Sequence, residues 1–480
     1  MFSLGRFAGR AAPSLRAALV TPMRPAAPAA SLSLRAGLLA AEAPLLAAGR
    51  RAGLLGAMRP LARAPGGSPT TLLRRAMTTS APAAPAEAAA TGTGRWSALM
   101  GGVPRGSERR AAAYMFTVAG LTFSIIVIGG LTRLTESGLS ITDWRPVTGT
   151  LPPRSDAEWD AEFAKYRASP EYRLQNHGMS MEDFKYIFWW EWGHRQVGRL
   201  IGLAWAAPLA WMAARGTVVL RDAGRMTPFG RQALAIGTLI GAQGLMGWLM
   251  VKSGLDERLV EEDRVARVSH LRLAAHLGLA LVIYGVSLWN GLSLLPSTAA
   301  KNLYSAVRDP AVWGPLRSLK RNSHHLATLV GVTILSGALV AGLHAGRVYN
   351  EFPTMGPGRL APADYLLPVE DEPNPVRRVL DSAPATQFHH RVLATTTLAA
   401  GCGLVLGVVL RRQWHLLAKP TRNAMLLLSG ALAGQFTLGI ATLLMHVPTP
   451  LASAHQAGAV VVMSAVLRLM HTLRSVSRKL

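Results

Sequence analysis

The chain has 480 residues, half of them apolar, with only 16% Asp, Glu, Lys and Arg and a formal net charge of +25. That is too little charge for an ordinary soluble domain. The basic excess lies in the N-terminal segment and in short loops between apolar runs, where it serves targeting and topology, so no nucleic-acid partner is expected. The single cysteine, Cys402, excludes an intramolecular disulfide and a cysteine-based metal site.

Residues 1–76 come first, with eleven arginines against one acid, Glu42. An Arg-rich, acid-poor stretch filled with Ala, Leu, Ser and Pro reads as a mitochondrial transit peptide, although a plastid address has the same composition. A Pro/Ala/Thr linker follows over 77–110. Eight apolar runs then lie near 112–133, 194–214, 231–251, 268–290, 325–346, 389–410, 424–446 and 452–472. Each is close to the roughly 20 residues that a helix needs to cross a hydrocarbon core. The expected fold is an all-α membrane protein of eight transmembrane helices.

Loops after even runs are basic, with Arg215, Arg221 and Arg225, then Arg317, Lys320 and Arg321, then Arg411, Arg412 and Lys419. Loops after odd runs hold most of the acids, among them Asp156, Glu158, Asp160, Asp256, Glu257, Glu372 and Asp381. The positive-inside rule puts both termini and the basic loops on one side. For a protein of the mitochondrial inner membrane that side is the matrix, and the acidic loops face the intermembrane space.

The two halves repeat each other weakly. Run two opens Glu191-Trp-Gly-His194-Arg195, and run six opens Gln387-Phe-His-His390-Arg391. Run three holds Gln243 and Gly247, and run seven holds Gln435 and Gly439 at the same spacing. Run four holds Ala275-His276, and run eight holds Ala454-His455. Matches in the same order predict two pseudo-repeated four-helix bundles, 111–291 and 325–480, joined by a matrix connector over 292–324. The repeat singles out His194, His276, His390 and His455 from thirteen histidines. Each lies in the first two or three turns of its run, which puts all four in the outer half of the membrane.

Two helices that each offer an inward imidazole can ligate a porphyrin iron from both faces. The pairs His194 with His276 and His390 with His455 therefore predict two haem sites. Interhelical hydrogen bonding is the plainer use of the same histidines, and a non-haem metal is disfavoured because no carboxylate cluster accompanies them. Glu191 stands one turn from His194 on the same helix face, whereas the second half has Gln387, which cannot ionise. The difference suggests chemistry at the first site and an electron-transfer or structural haem at the second. Arg195 and Arg391 either pair with haem propionates or snorkel to the surface. His389 competes with His390 but lacks the His-Arg register. His270, His324, His325, His344 and His446 lie near run ends, and His177, His415 and His471 read as loop or surface residues.

The run Gly129-Gly-Leu-Thr-Arg-Leu-Thr-Glu-Ser-Gly-Leu-Ser140, with Asp143-Trp144, closely resembles the segment that ends the first span of haem A synthases. Leu339-Val-Ala-Gly342, Tyr349-Asn350 and Phe352-Pro353 resemble its fifth-span counterpart. The resemblance covers roughly residues 95–475, and the chain lacks the first-loop cysteine pair of some members, like the mitochondrial branch. It implies that His194, His276, His390 and His455 are haem ligands. It also implies that haem O in the N-terminal half is oxidised at its C8 methyl to the formyl group of haem A, with haem B in the C-terminal half passing electrons. Glu191 would manage protons or stabilise a cationic intermediate. Haem O synthase, a ferredoxin-type electron donor, the cytochrome c oxidase assembly machinery and membrane lipid are the implied partners, and a homo-oligomer is left open. A cytochrome b-like two-haem electron carrier is the main rival, and a transporter built from repeated halves is the other.

Overall fold

The computed structural model describes residues 101–145, 149, 151–261, 265–295, 303–305, 307, 309–365 and 372–476. The leader expected over 1–76 and the linker as far as residue 100 lie outside them. Eight helices among the described residues are long and apolar enough to cross a membrane. They are α1 (Glu108–Leu134), α2 (Met181–Ala214), α3 (Pro228–Gly254), α4 (His270–Leu294), α5 (Pro310–Gly342), α6 (Ala383–Leu410), α7 (Lys419–Leu444) and α8 (Thr449–Thr472).

Local sequence sets most of their starts. Ser180, Thr227, Ser269, Asp309 and Ser382 each cap a helix by accepting a backbone N–H of its first turn, worth about 1 kcal/mol apiece. Prolines sit in the first turn of α3, α5, α6, α7 and α8, where the missing N–H costs nothing and the fixed φ suits a helix. On the basic side, a two-residue strand pair, β1 (Arg221–Asp222) with β2 (Arg225–Met226), turns the chain from α2 into α3. Ala223 and Gly224 both have positive φ in that turn, the geometry whose twist suits a tight hairpin.

The helices α1, α2, α3 and α4 close a ring of pairwise contacts, α1–α2, α2–α3, α3–α4 and α4–α1, and α5, α6, α7 and α8 close a second. The rings meet along α4–α5, α1–α8 and α4–α8. Their outer faces carry Leu203, Leu234, Leu406, Leu410 and Leu426 exposed. Side chains of this kind in water would form an apolar patch far larger than a soluble monomer carries, whereas a bilayer accepts them.

Two helices are longer than hydropathy indicates. Helix α2 starts at Met181 rather than 194, because its first turns carry Glu182, Asp183 and Lys185 and read as too polar for a span. They remain helical because the Ser180 hydroxyl and Asp183 cap each other at 2.6 and 3.1 Å. Their aromatic face also packs on the outer helix Asp156–Arg167, with Phe163 stacked on Phe184 at 4.8 Å and Trp159 edge-on to Phe188 at 4.9 Å. Helix α5 starts at Pro310 rather than 325, and its added turns hold Arg317, Lys320 and Arg321. Long basic side chains of this kind let a helix continue through the interface.

The longer α2 corrects one expectation. His276, His390 and His455 lie within two turns of their helix starts at His270, Ala383 and Thr449. His194 instead lies roughly 20 Å along α2, at a 1.5 Å rise per residue. The first part of that distance is an extension outside the apolar run, so the position of His194 in its helix alone does not fix its depth.

Candidate functional site: two histidine pairs under outer loops

His194 on α2 and His276 on α4 lie close enough to interact electrostatically, and so do His390 on α6 and His455 on α8. Each ring rests against a glycine of the preceding odd-numbered helix. A Cβ built on Gly129 would stand 2.9 Å from His194 Nε2, and one on Gly247 would stand 3.0 Å from His276 Cε1. The corresponding distances are 3.1 Å from Gly337 to His390 Cε1 and 2.7 Å from Gly439 to His455 Cε1. Any side chain at these four positions would displace an imidazole, so the glycines seat the rings inside the two helix rings.

The glutamines one turn before Gly247 and Gly439 bind the same histidines. Gln243 Nε2 donates to the His276 carbonyl at 3.0 Å, and Gln435 Nε2 donates to the His455 carbonyl at 2.9 Å. His276 Nδ1 and the Oε1 atoms of Gln243 and Gln435 are buried without a partner among the described residues. Unpaired polar atoms at this depth are costly. On the opposite wall, Ser336 Oγ lies 2.8 Å from His390 Nδ1.

The outer loops are strapped onto these pairs. Glu191 is 3% exposed, and its Oε2 accepts from Ser140 Oγ at 2.7 Å and from the Ile141 N–H at 2.8 Å. Its Oε1 accepts from Arg195 Nε at 3.1 Å and from Arg195 Nη2 at 2.7 Å. Arg195 also donates to the Ile141 carbonyl at 2.8 Å and the Asp143 carbonyl at 3.1 Å. In the other half, Arg391 donates to the carbonyls of Tyr349 and Thr354 at 2.8 and 2.9 Å, and Gln387 Nε2 donates to the Tyr349 carbonyl at 2.8 Å. Glu191 therefore grips its loop as an acceptor, and Gln387 grips the equivalent loop as a donor. Gln387 Oε1 and Arg391 Nε are buried and unpaired among the described residues, so the pair made by Glu191 and Arg195 has no counterpart there.

Beyond the membrane, Glu171 is buried and its carboxylate accepts from the Tyr166 hydroxyl at 3.0 Å. Burial pushes its pKa up to about 8, and the charges of Glu191 and Glu136 add to the shift. Neither Glu171 nor Ser336 stood out in the sequence. Ser140, by contrast, is the last residue of the motif that ends the first span.

Five of the other histidines have partners elsewhere. His389 Nε2 meets the Tyr365 hydroxyl at 2.6 Å, His270 Nε2 meets Asp381 at 2.9 Å, and His471 Nε2 meets Ser293 at 3.0 Å. His344 bonds to Arg133, and His324 Nδ1 meets the Lys320 carbonyl at 2.6 Å. The described residues hold no cluster of three or more His, Cys, Asp or Glu fit for a bare metal ion. Each ring of helices thus offers two imidazoles seated beside glycines, a donor set that would suit a haem better than a bare metal ion.

Residues 112–467 match the cytochrome oxidase assembly protein family. The chain is 41% identical to a haem A synthase of Mus musculus over 376 residues, covering 78% of this chain and 84% of the relative. It is 42% identical to a haem A synthase of Rhodospirillum centenum over 376 residues, covering 77% and 91%. A haem A synthase–mitochondrial ferredoxin fusion protein of Schizosaccharomyces pombe is 38% identical over 379 residues, and the chain spans 59% of its length. With the family match running through all eight helices, the chain belongs to the cytochrome oxidase assembly protein family.

Proposed function

We propose that the chain is a haem A synthase, an oxidoreductase that oxidises the C8 methyl of haem O to the formyl group of haem A. The observation that carries this reading is the paired histidines of the two helix rings, in a family whose named relatives are haem A synthases. His194 and His276 hold the substrate haem in the bundle of residues 111–291. His390 and His455 hold haem B in the bundle of 325–480, beyond a connector over 292–324. Haem B, when bound, supplies a one-electron relay.

The chain's own groups bind, orient and exclude water. Glu191 sets a fixed carboxylate one turn from His194, where it can stabilise positive charge developing on the substrate and take up a released proton. Ser140, Ile141 and Arg195 hold that carboxylate in place and close the outer loop over the site. Arg391, with its Nε unpaired, is better placed than Arg195 to meet a propionate as well, because Arg195 is already committed to Glu191.

The basic loops and Arg-rich leader support a mitochondrial inner-membrane location with both termini in the matrix. The fused ferredoxin of the fission-yeast relative supports a ferredoxin-type electron donor. Haem O synthase supplies the substrate, and cytochrome c oxidase assembly consumes the product.

Haem stoichiometry of the purified full chain tests the reading. Wild type should hold haem B together with haem O or haem A, and His390→Ala should lose haem B while keeping haem O. Two equivalent haem B groups and no haem O or haem A would favour a cytochrome b-like carrier instead.

A further inference from the structure

The two histidine pairs are held differently: in the second half His390 Nδ1 meets Ser336 and His455 Nδ1 lies 3.1 Å from the Gln435 side-chain amide, whereas in the first half His276 Nδ1 is buried without a partner among the described residues. Ser336 is 8% exposed on α5, directly before Gly337, the glycine against which His390 rests. Its hydroxyl lies 2.7 Å from the Thr333 carbonyl of its own helix and 2.8 Å from His390 Nδ1. A hydroxyl has one hydrogen, and a carbonyl can only accept. The Ser336 hydrogen therefore goes to Thr333, and the Ser336 oxygen accepts from His390 Nδ1–H. His390 is thus held in the tautomer whose Nε2 lone pair is free for iron.

In the first half, Gly129 plays the part of Gly337, and the residue before it is Ile128. An isoleucine can accept no hydrogen bond. The His194 ring turns its Nε2 and Cδ2 atoms towards Gly129, whereas His390 turns Cε1 towards Gly337, with its two ring nitrogens equally distant. His276, the partner of His194, has its Nδ1 buried and unpaired.

We propose that Ser336 is a positioning residue that tightens the His390/His455 site into the retained one, and that Ile128 at the equivalent place leaves the His194/His276 site exchangeable. This inference rests on the reading of the four histidines as haem ligands. A hydrogen bond to the far nitrogen of a ligating imidazole fixes its orientation and raises its basicity, and losing one costs about 10–100-fold in affinity. A substrate haem must enter and a product haem must leave, so weaker tethering suits the first site. A relay haem must stay.

The test uses the purified full chain with four substitutions and two readouts: the midpoint potential of each haem, and its rate of transfer to excess apomyoglobin. The band lost in His390→Ala identifies the second-half haem. Ser336→Ala should speed transfer of that haem about 10–100-fold. It should also raise its potential, by about 59 mV if the ferric form is weakened tenfold more than the ferrous form. Ser336→Thr, which keeps the hydroxyl, should behave as wild type. Ile128→Ser should slow loss of the first-half haem. Unchanged transfer and potential in Ser336→Ala, with His390→Ala still losing one haem, would overturn the inference alone. Retention of both haems in His390→Ala would overturn the ligand reading and this inference together.

Discussion

Buried Glu191 and partly exposed Arg195 form an ion pair with an N–O distance of 2.7 Å, and together they bind the first outer loop at Ile141. Breaking a buried pair by removing one partner costs about 3–5 kcal/mol, because the remaining charge is stranded. Arg195→Ala should therefore lower the melting temperature and loosen the first outer loop, seen as faster amide exchange at residues 139–143. Arg391→Ala breaks no such pair and should cost less. Equal losses in the two variants would contradict the asymmetry.

Glu191→Gln preserves shape but removes the charge. The amide can still accept from Ile141 or Ser140, as one oxygen remains. Haem content should stay near wild type, while haem A formation should fall about 10–100-fold, the equivalent of one charge-assisted hydrogen bond of roughly 1.5–3 kcal/mol. Haem analysis and turnover of the same preparation check both parts.

The glycines make a separable prediction. Gly439→Ala puts a methyl 2.7 Å from His455 Cε1, closer than real Cβ contacts come, so the ring must move. Overpacking of this kind costs about 1–3 kcal/mol. The variant should lose the second-half haem and keep the first-half one, read from the absorption of the purified protein.

Glu171 gives a pH dependence with a definite sign. Its folded pKa, about 8, lies above its unfolded value near 4.5, so between these values the folded state holds the proton and the unfolded state does not. Stability from this group is present in full below about pH 4.5 and is lost as pH rises towards 8. Relative to Glu171→Gln, the wild-type melting temperature should fall from pH 5 to pH 8. A parallel pair of curves would remove Glu171 from the account.

Much of this was legible in the residues because membrane helices write themselves in long apolar runs. The four histidines stood out because the (Glu/Gln)-x-x-His-Arg and Ala-His patterns recur, and the structure brings His194 beside His276 and His390 beside His455. The start of α2 was hidden because its stability comes from Phe163 and Trp159 of a neighbouring helix, not from its own apolarity. The sequence marks Arg195 and Arg391 as propionate partners or interfacial cations, and the structure adds that both donate to loop carbonyls. Sequence spacing cannot show which distant carbonyl an arginine meets. Ser336 was silent for the same reason, as one serine in an apolar run carries no pattern.

The central claim is conversion of haem O at the His194/His276 site. Haem O added to the purified full chain with a reduced ferredoxin-type donor and oxygen, followed by extraction and chromatographic separation of the haems, tests it directly. The account predicts haem A from wild type and unchanged haem O from His194→Ala, with the second-half haem present in both. Unchanged haem O from wild-type protein that carries its second-half haem would contradict it.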